Sequence, residues 1–180
     1  LKSPKERFRA LPAVEKLRAV GVLFSFLQNT AWKGYAAVDF YDGSILYDFL
    51  SGRVTLCDID LFRKAPAVND RGDGWYGTKR LKAPEEYRVG GIIDERTNLY
   101  TLGALIFDFF GEFSAEDIRQ RYLQRRFLPC PLSRWELGEE SYRAAEKAVC
   151  PSRDERWRTI EEFSAAWEKA VRPYFVRAGE

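Results

Sequence analysis

The sequence predicts a mainly helical α+β domain in which one small β-hairpin is embedded among about seven helices. Three observations carry that expectation. Helix-start signatures stand ahead of apolar runs at Ser3, Ser114 and Thr159, each with an acid three residues on. The stretch Thr97–Phe110, TNLYTLGALIFDFF, is apolar almost all round, as in a helix at the centre of a helical domain. Ser44–Asp48 and Val54–Asp58 read as two short apolar strands joined by a polar turn containing Ser51 and Gly52.

Taken in order, Ser3-Pro4-Lys5-Glu6 forms a capping box with proline at the first helical position and opens a short helix to about Ala10. Pro12 opens a second helix to about Asn29, with Val14, Leu17, Val20, Gly21, Phe24 and Leu27 on a core-facing side. After the hairpin, Leu61–Leu81 carries Asn69, Gly72, Gly74 and Gly77 and many charges, with no clear period. Loops of that length inside a compact domain are usually functional or disordered. Beyond the central helix, Ser114 starts a helix through Arg126, with Asp117 in the reciprocal position, and Pro129 and Pro131 break the chain. A further helix over about Glu139–Val149 stops at Pro151. Thr159-Ile160-Glu161-Glu162 caps a last one through about Val171.

The chain has 180 residues and 46% hydrophobic content, enough for one sizeable core. Its net charge is +2 with bases scattered among acids, so no nucleic-acid footprint is expected. No apolar run approaches the roughly 20 residues that span a bilayer, and no signal peptide is visible, so a soluble, cytoplasmic protein is expected. Three cysteines, Cys57, Cys130 and Cys150, have no paired spacing and suggest neither a disulfide framework nor a zinc site. Histidine is absent, which excludes a histidine base, a Ser-His-Asp triad and any histidine-ligated metal within this chain. Chemistry here must run on carboxylates, hydroxyls, lysines and bound cations. A start at Leu1 and the absence of methionine fit a piece of a longer protein.

Carboxylates flank the hairpin. Asp39 and Asp42 lie before its first strand, and Asp58 and Asp60 at the end of its second. A hairpin brings its ends together, so Asp39 and Asp58 are expected to face one small volume. Acids beside strands are most often solvated turn residues. Several at one pair of strand ends also suit a magnesium or proton-transfer site.

The order of these parts resembles the C-terminal lobe of the eukaryotic-type protein kinase family. In the family's catalytic loop, H-R-D-x-x-x-x-N, the aspartate matches Asp39 in Ala37-Val38-Asp39 and the asparagine matches Ser44. The D-F-G matches Asp58-Ile59-Asp60, and the G-T-x-x-x-x-A-P-E that closes the activation segment is intact from Gly77 to Glu85. The family's D-x-[WY]-S-x-G appears as Asn98-Leu99-Tyr100-Thr101-Leu102-Gly103, and its late arginine matches Arg156. The resemblance covers Pro12 to Val171. It divides the chain into leading helices (1–30), a catalytic loop, hairpin and D-F-G-like site (36–64), an activation segment (61–86) and a helical subdomain (94–180).

What the resemblance implies is a protein-kinase-like fold, C-lobe only, using ATP and magnesium. Asp39 would orient and deprotonate the attacking hydroxyl, Asp58 and Ser44 would hold magnesium, and Thr78 would shape substrate docking. Glu85 and Arg156 would form a structural ion pair. The departures bear on activity. Tyr41 replaces the catalytic-loop lysine, Asp60 the D-F-G glycine, Val38 the arginine that pairs with a phosphorylated activation loop, and Asn98 an aspartate that supports the catalytic loop. A glycine-rich loop, a strand lysine in V-A-I-K context and its helix glutamate have no counterpart in these residues and would lie in an N-lobe upstream. Two functions remain open. One is a serine/threonine-type kinase acting on a protein substrate. The other is a pseudokinase that binds or scaffolds a protein partner. Small-molecule phosphotransferases stand further off, because they generally lack the A-P-E segment.

Overall fold

The computed structural model describes residues 2–179. At its centre lies α3 (Glu95–Phe110), in which every residue from Thr97 to Phe110 is buried. Asp94 caps it by accepting the Arg96 N–H, and Gly111 ends it. Around α3 pack α2 (Ala13–Trp32), α5 (Glu139–Ala148) and α6 (Ile160–Ala178), and α2 also lies along α6. Gly103 is the close-approach point. A Cβ there would stand 2.8 Å from the Cβ of Ala148, so α3 and α5 meet backbone to backbone.

The short α1 (Pro4–Arg9) has the full capping box between Ser3 and Glu6. α4 (Ala115–Gln124) is capped in the same reciprocal way by Ser114 and Asp117. Six α-helices thus appear among the described residues, where about seven were expected; the shortfall is made up by one-turn 3-10 segments such as Pro84–Tyr87 and Arg153–Glu155.

Two differences from the sequence reading of the helices have physical causes. On α2, Gly21 is exposed and Val14 only half-buried, whereas Lys16, Ala19 and Leu23 are buried, because this helix covers both α3 and α6 and needs a wider inward arc. Lys16 is tolerated there because its ammonium donates to the carbonyls of Arg9 and Phe109 and pairs with Glu136. α6 continues past Val171 through Pro173. That proline is exposed, and Tyr174 just beyond it accepts the N–H of Gly138 at 2.7 Å, so a tertiary contact holds the last turns despite the missing donor.

Among the described residues the β structure is three two-stranded antiparallel pieces. β2 (Ile45–Tyr47) and β3 (Val54–Leu56) form the hairpin, in register Ile45↔Leu56 and Tyr47↔Val54. Its strands are shorter than expected, because the chain enters through a 3-10 turn at Asp42–Ser44 and leaves into a left-handed residue at Asp58. β1 (Tyr35–Ala36) pairs with β4 (Arg63–Lys64), and β5 (Ala67–Val68) with β6 (Ile92–Ile93). The supposedly unstructured stretch after the hairpin is therefore pinned twice, by strands too short to show a period. Among the described residues no helix is long and apolar enough to cross a membrane.

Candidate active site

β1 delivers the chain to a loop that carries Asp39. The loop is fixed from the centre of the molecule. The Asn98 carboxamide on α3 accepts the Ala37 N–H at 2.7 Å and donates to the Ala37 carbonyl at 2.8 Å. Asp39 has φ +61° and Asp58 φ +56°. Left-handed backbone is costly for side chains other than glycine, asparagine and aspartate, and such strain collects at functional sites. The two loops are tied together at the base of the hairpin, where the Cys57 N–H donates to the Ser44 carbonyl at 3.0 Å. Ser44 is buried, and its hydroxyl donates to the Asp39 carbonyl at 3.3 Å.

Asp39 opens into a narrow cleft shared with Gly77, Thr78, Leu81, Lys82 and Glu86. Burial pushes the Asp39 carboxyl above its ordinary value, and the charges of Asp58 and Asp60 push the same way; a Gly77 N–H donated to it and the Lys82 ammonium oppose them. Asp39, Asp58 and Asp60 therefore share one electrostatic neighbourhood. Thr78 is half-buried at the rim of the same cleft, while Asp58 and Asp60 are exposed. Asp42 turns away, accepting from Arg80 at 2.6 Å.

Among the described residues no group of three or more histidine, cysteine or acidic side chains converges in metal-holding geometry. Magnesium commonly takes only one or two protein carboxylates, the rest being phosphate oxygens and water. The exposed Asp58 carboxylate fits such an incomplete ligand set. Ser44 fits it less well, since its hydroxyl is buried and already bonded within the loop.

The segment that closes over Asp39 is anchored at both ends. At its far end Glu85 accepts from Arg156 at 2.7 and 3.0 Å, from Arg153 at 2.8 Å and from the Thr97 hydroxyl at 3.0 Å. Burial alone would raise Glu85; these donors more than offset it and hold the carboxyl below its ordinary value. Arg153 also grips Asp94 at 2.7 and 2.8 Å, joining the segment to the cap of α3. In the middle, Arg80 bridges Asp42 to Asp108, and Asp108 also receives Lys5 at 2.9 Å and the buried Arg121 at 3.2 Å. Nearer Asp39, Val38 packs with Ala36, Trp75 and Ile93 in a small apolar cluster separate from the main core.

Sequence reasoning missed Arg80, Lys82, Arg153 and Asp108. Asp108 did carry a signal, as the one charged residue between Thr97 and Phe110 in a run that is otherwise neutral. Tyr41 takes a position that spacing alone did not reveal. Its ring lies over Gly43, where a Cβ would be 2.4 Å from it, and it lines an apolar cavity of about 650 Å³ with Phe8, Leu23, Tyr47 and Phe109. Tyr41 is thus directed away from the Asp39 cleft.

No family model matches the chain, and neither does any curated protein. Among solved structures it is similar to the PK-1 kinase of Cydia pomonella granulovirus, with a TM-score of 0.64 at 16% sequence identity. The match covers 87% of this chain and 57% of that one, so the chain spans little more than half the length of the viral kinase. At this identity the similarity is one of fold, and the fold is that of a protein kinase, in a mainly helical form.

Proposed function

We propose that this chain is the helical lobe of an ATP- and magnesium-dependent kinase that transfers a phosphoryl group to a protein hydroxyl. The observation that carries the reading is the pair of left-handed aspartates, Asp39 and Asp58, set at the two feet of one hairpin and tied there by the Cys57–Ser44 bond. Asp39 would orient the attacking hydroxyl and accept its proton, and its raised affinity for protons suits a base. Asp58 would hold magnesium, with Ser44 contributing the lone pairs that its bond to the Asp39 carbonyl leaves free. Bound magnesium supplies neutralisation of phosphate charge. Thr78 would position the substrate segment at the rim of the cleft. Elements that cover a nucleotide from above are not found in these 180 residues, so the reading applies to a protein that supplies them as well.

The engagement of Ser44 and the turning of Tyr41 favour a second reading, a pseudokinase that binds or scaffolds a protein partner. Asp39→Asn separates the two, because asparagine accepts the left-handed backbone and spares the fold. A kinase should lose about 10²-fold or more of its transfer rate in this variant while keeping nucleotide affinity. Equal transfer by variant and wild type would overturn the assignment of Asp39. No transfer by wild type, together with retained partner binding, would establish the second reading.

A further inference from the structure

The chain turns sharply after Thr78, whose carbonyl accepts the Leu81 N–H at 3.0 Å, and Lys79 and Arg80 stand within that turn. The Tyr87 hydroxyl donates to the Lys79 carbonyl at 2.9 Å and steadies it. Bases from the end of α4 and the start of α1 share acids with these two side chains. We propose that the turn and its basic neighbours form a docking surface for an acidic segment of the protein substrate, beside the cleft that holds Asp39.

Two groups of charges build the surface, and each holds more bases than acids. In the first, Lys79 at 3.8 Å and Arg125 at 3.5 Å approach one and the same oxygen, Oδ2 of Asp73. All three residues are exposed. Exposed pairs at such distances contribute little, so a carboxylate from another chain can take either cation in exchange. In the second, Arg80 spans Asp42 and Asp108, Lys5 approaches the same two at 3.4 and 2.9 Å, and the buried Arg121 reaches Asp108 at 3.2 Å. Three cations thus share two carboxylates. Arg121 gives a second sign of the same excess: its Nη2 is buried and has no acceptor among the described residues, although its guanidinium lies 3.9 and 3.7 Å over the Phe113 and Phe127 rings. Lys5 and Arg80 keep part of their side chains open to solvent.

The two groups are continuous. Lys79 directly precedes Arg80, and Arg125 follows Arg121 by four residues at the end of α4, about one helical turn on. Thr78 lines the Asp39 cleft, so a chain laid across the turn would bring a hydroxyl toward Asp39 and set the residues flanking it against the cations. Charge complementarity of this kind selects a partner and speeds its encounter. Because Asp42 and Asp73 are interleaved with the bases, the surface suits a short acidic peptide better than the unbroken phosphate run of a nucleic acid. That the bound segment is a substrate rests on the phosphoryl-transfer reading; that the surface takes acidic segments does not.

The test is binding, read by fluorescence anisotropy with the full-length protein. One labelled peptide carries a serine flanked on both sides by glutamates, and its control carries glutamines instead. The glutamate peptide should bind about tenfold tighter or more, with the gap narrowing as salt is added. Lys79→Glu and Arg125→Asn should each weaken it; asparagine tolerates the φ of +50° at Arg125. Asp73→Asn should tighten it, because both cations are then released. Amide spectra verify that each variant folds. Equal affinity for the two peptides, an affinity unmoved by Lys79→Glu, or weaker binding in Asp73→Asn overturns the proposal. Duplex DNA bound as tightly as the glutamate peptide also overturns it, in favour of a general polyanion surface. Where transfer is measurable, Lys79→Glu should raise KM for the glutamate peptide and leave kcat nearly unchanged. Selective binding of that peptide by a wild type without transfer would bring down the kinase reading and leave the docking surface standing.

Discussion

The side-chain amide of Asn98 and the backbone of Ala37 exchange two hydrogen bonds, 2.7 Å from the Ala37 N–H and 2.8 Å to its carbonyl. This peptide-like pair is what joins the most buried helix of the molecule to the loop that carries Asp39. The neutrality of the amide matters, because one of its two partners is itself an acceptor.

Asn98→Asp should therefore destabilise the protein, although the resemblance places an aspartate there. The carboxylate keeps the bond from the Ala37 N–H but turns a lone pair toward the Ala37 carbonyl, in a buried site. A cost of about 1–3 kcal/mol is expected, or roughly 2–4 °C of melting temperature per kcal/mol in a domain of this size. Differential scanning calorimetry decides it. An unchanged or raised Tm would show that the amide donor is not needed.

Two adjacent buried acids should give opposite pH dependences. Burial raises the Glu86 carboxyl from 4.5 to about 8, even though it accepts the Ala83 N–H. The folded protein then holds a proton that the unfolded chain releases, so this group removes stability as pH rises from the ordinary carboxylate range to about 8. Glu85 is held low by Arg156 against its burial, so its contribution is present above the ordinary value of 4.5 and is lost as acid protonates it. Glu86→Gln keeps an acceptor for Ala83 and removes the charge. Urea midpoints of this variant should vary less between pH 5 and 8 than those of wild type, with a gain at the alkaline end. Equal slopes would mean that Glu86 does not titrate in this range.

The stretch between the hairpin and Glu85 is held near the loop that carries Asp39 by Trp75 packed on Val38, where the resemblance places a phosphate-reading arginine. Trp75→Ala should loosen that segment rather than the main core. Large-to-small changes at buried aromatics cost about 3–5 kcal/mol, and a local opening caps the loss at its own free energy. Trypsin should cut faster at Arg71, Lys79 or Arg80, with amide exchange in α3 left slow. Unchanged cleavage would show that the Arg80 and Glu85 anchors suffice without the apolar cluster.

Much of the scaffold was legible because it is written in local chemistry. Capping residues at Ser3, Ser114 and Thr159 mark helix starts by satisfying free N–H groups, and the all-apolar run of α3 has no stable place except the centre. The hairpin was legible from its two short apolar runs and the polar turn between them. Less was legible where a residue serves a distant one. Lys82, Arg80 and Arg153 look like ordinary surface charges in sequence, and only the fold brings them to the Trp75 carbonyl, Asp108 and Glu85. The last helix was expected to end near Val171 and runs on past Pro173, because the bond from Gly138 to Tyr174 is invisible locally. Of the candidate site, the aspartates stand out in the sequence, whereas the groups that share their cleft do not.

The central claim, that the Asp39–Asp58 corner serves nucleotide chemistry, is tested most directly by melting the full-length protein with and without magnesium and ATP, beside Asp58→Asn. Asparagine tolerates the left-handed backbone at Asp58 and removes the charge. Ligand at a hundred times its dissociation constant stabilises the folded state by about 2.7 kcal/mol. The expected result is a magnesium-dependent rise in Tm that is lost in Asp58→Asn. No shift at millimolar ATP, or the same shift in the variant, would contradict the claim.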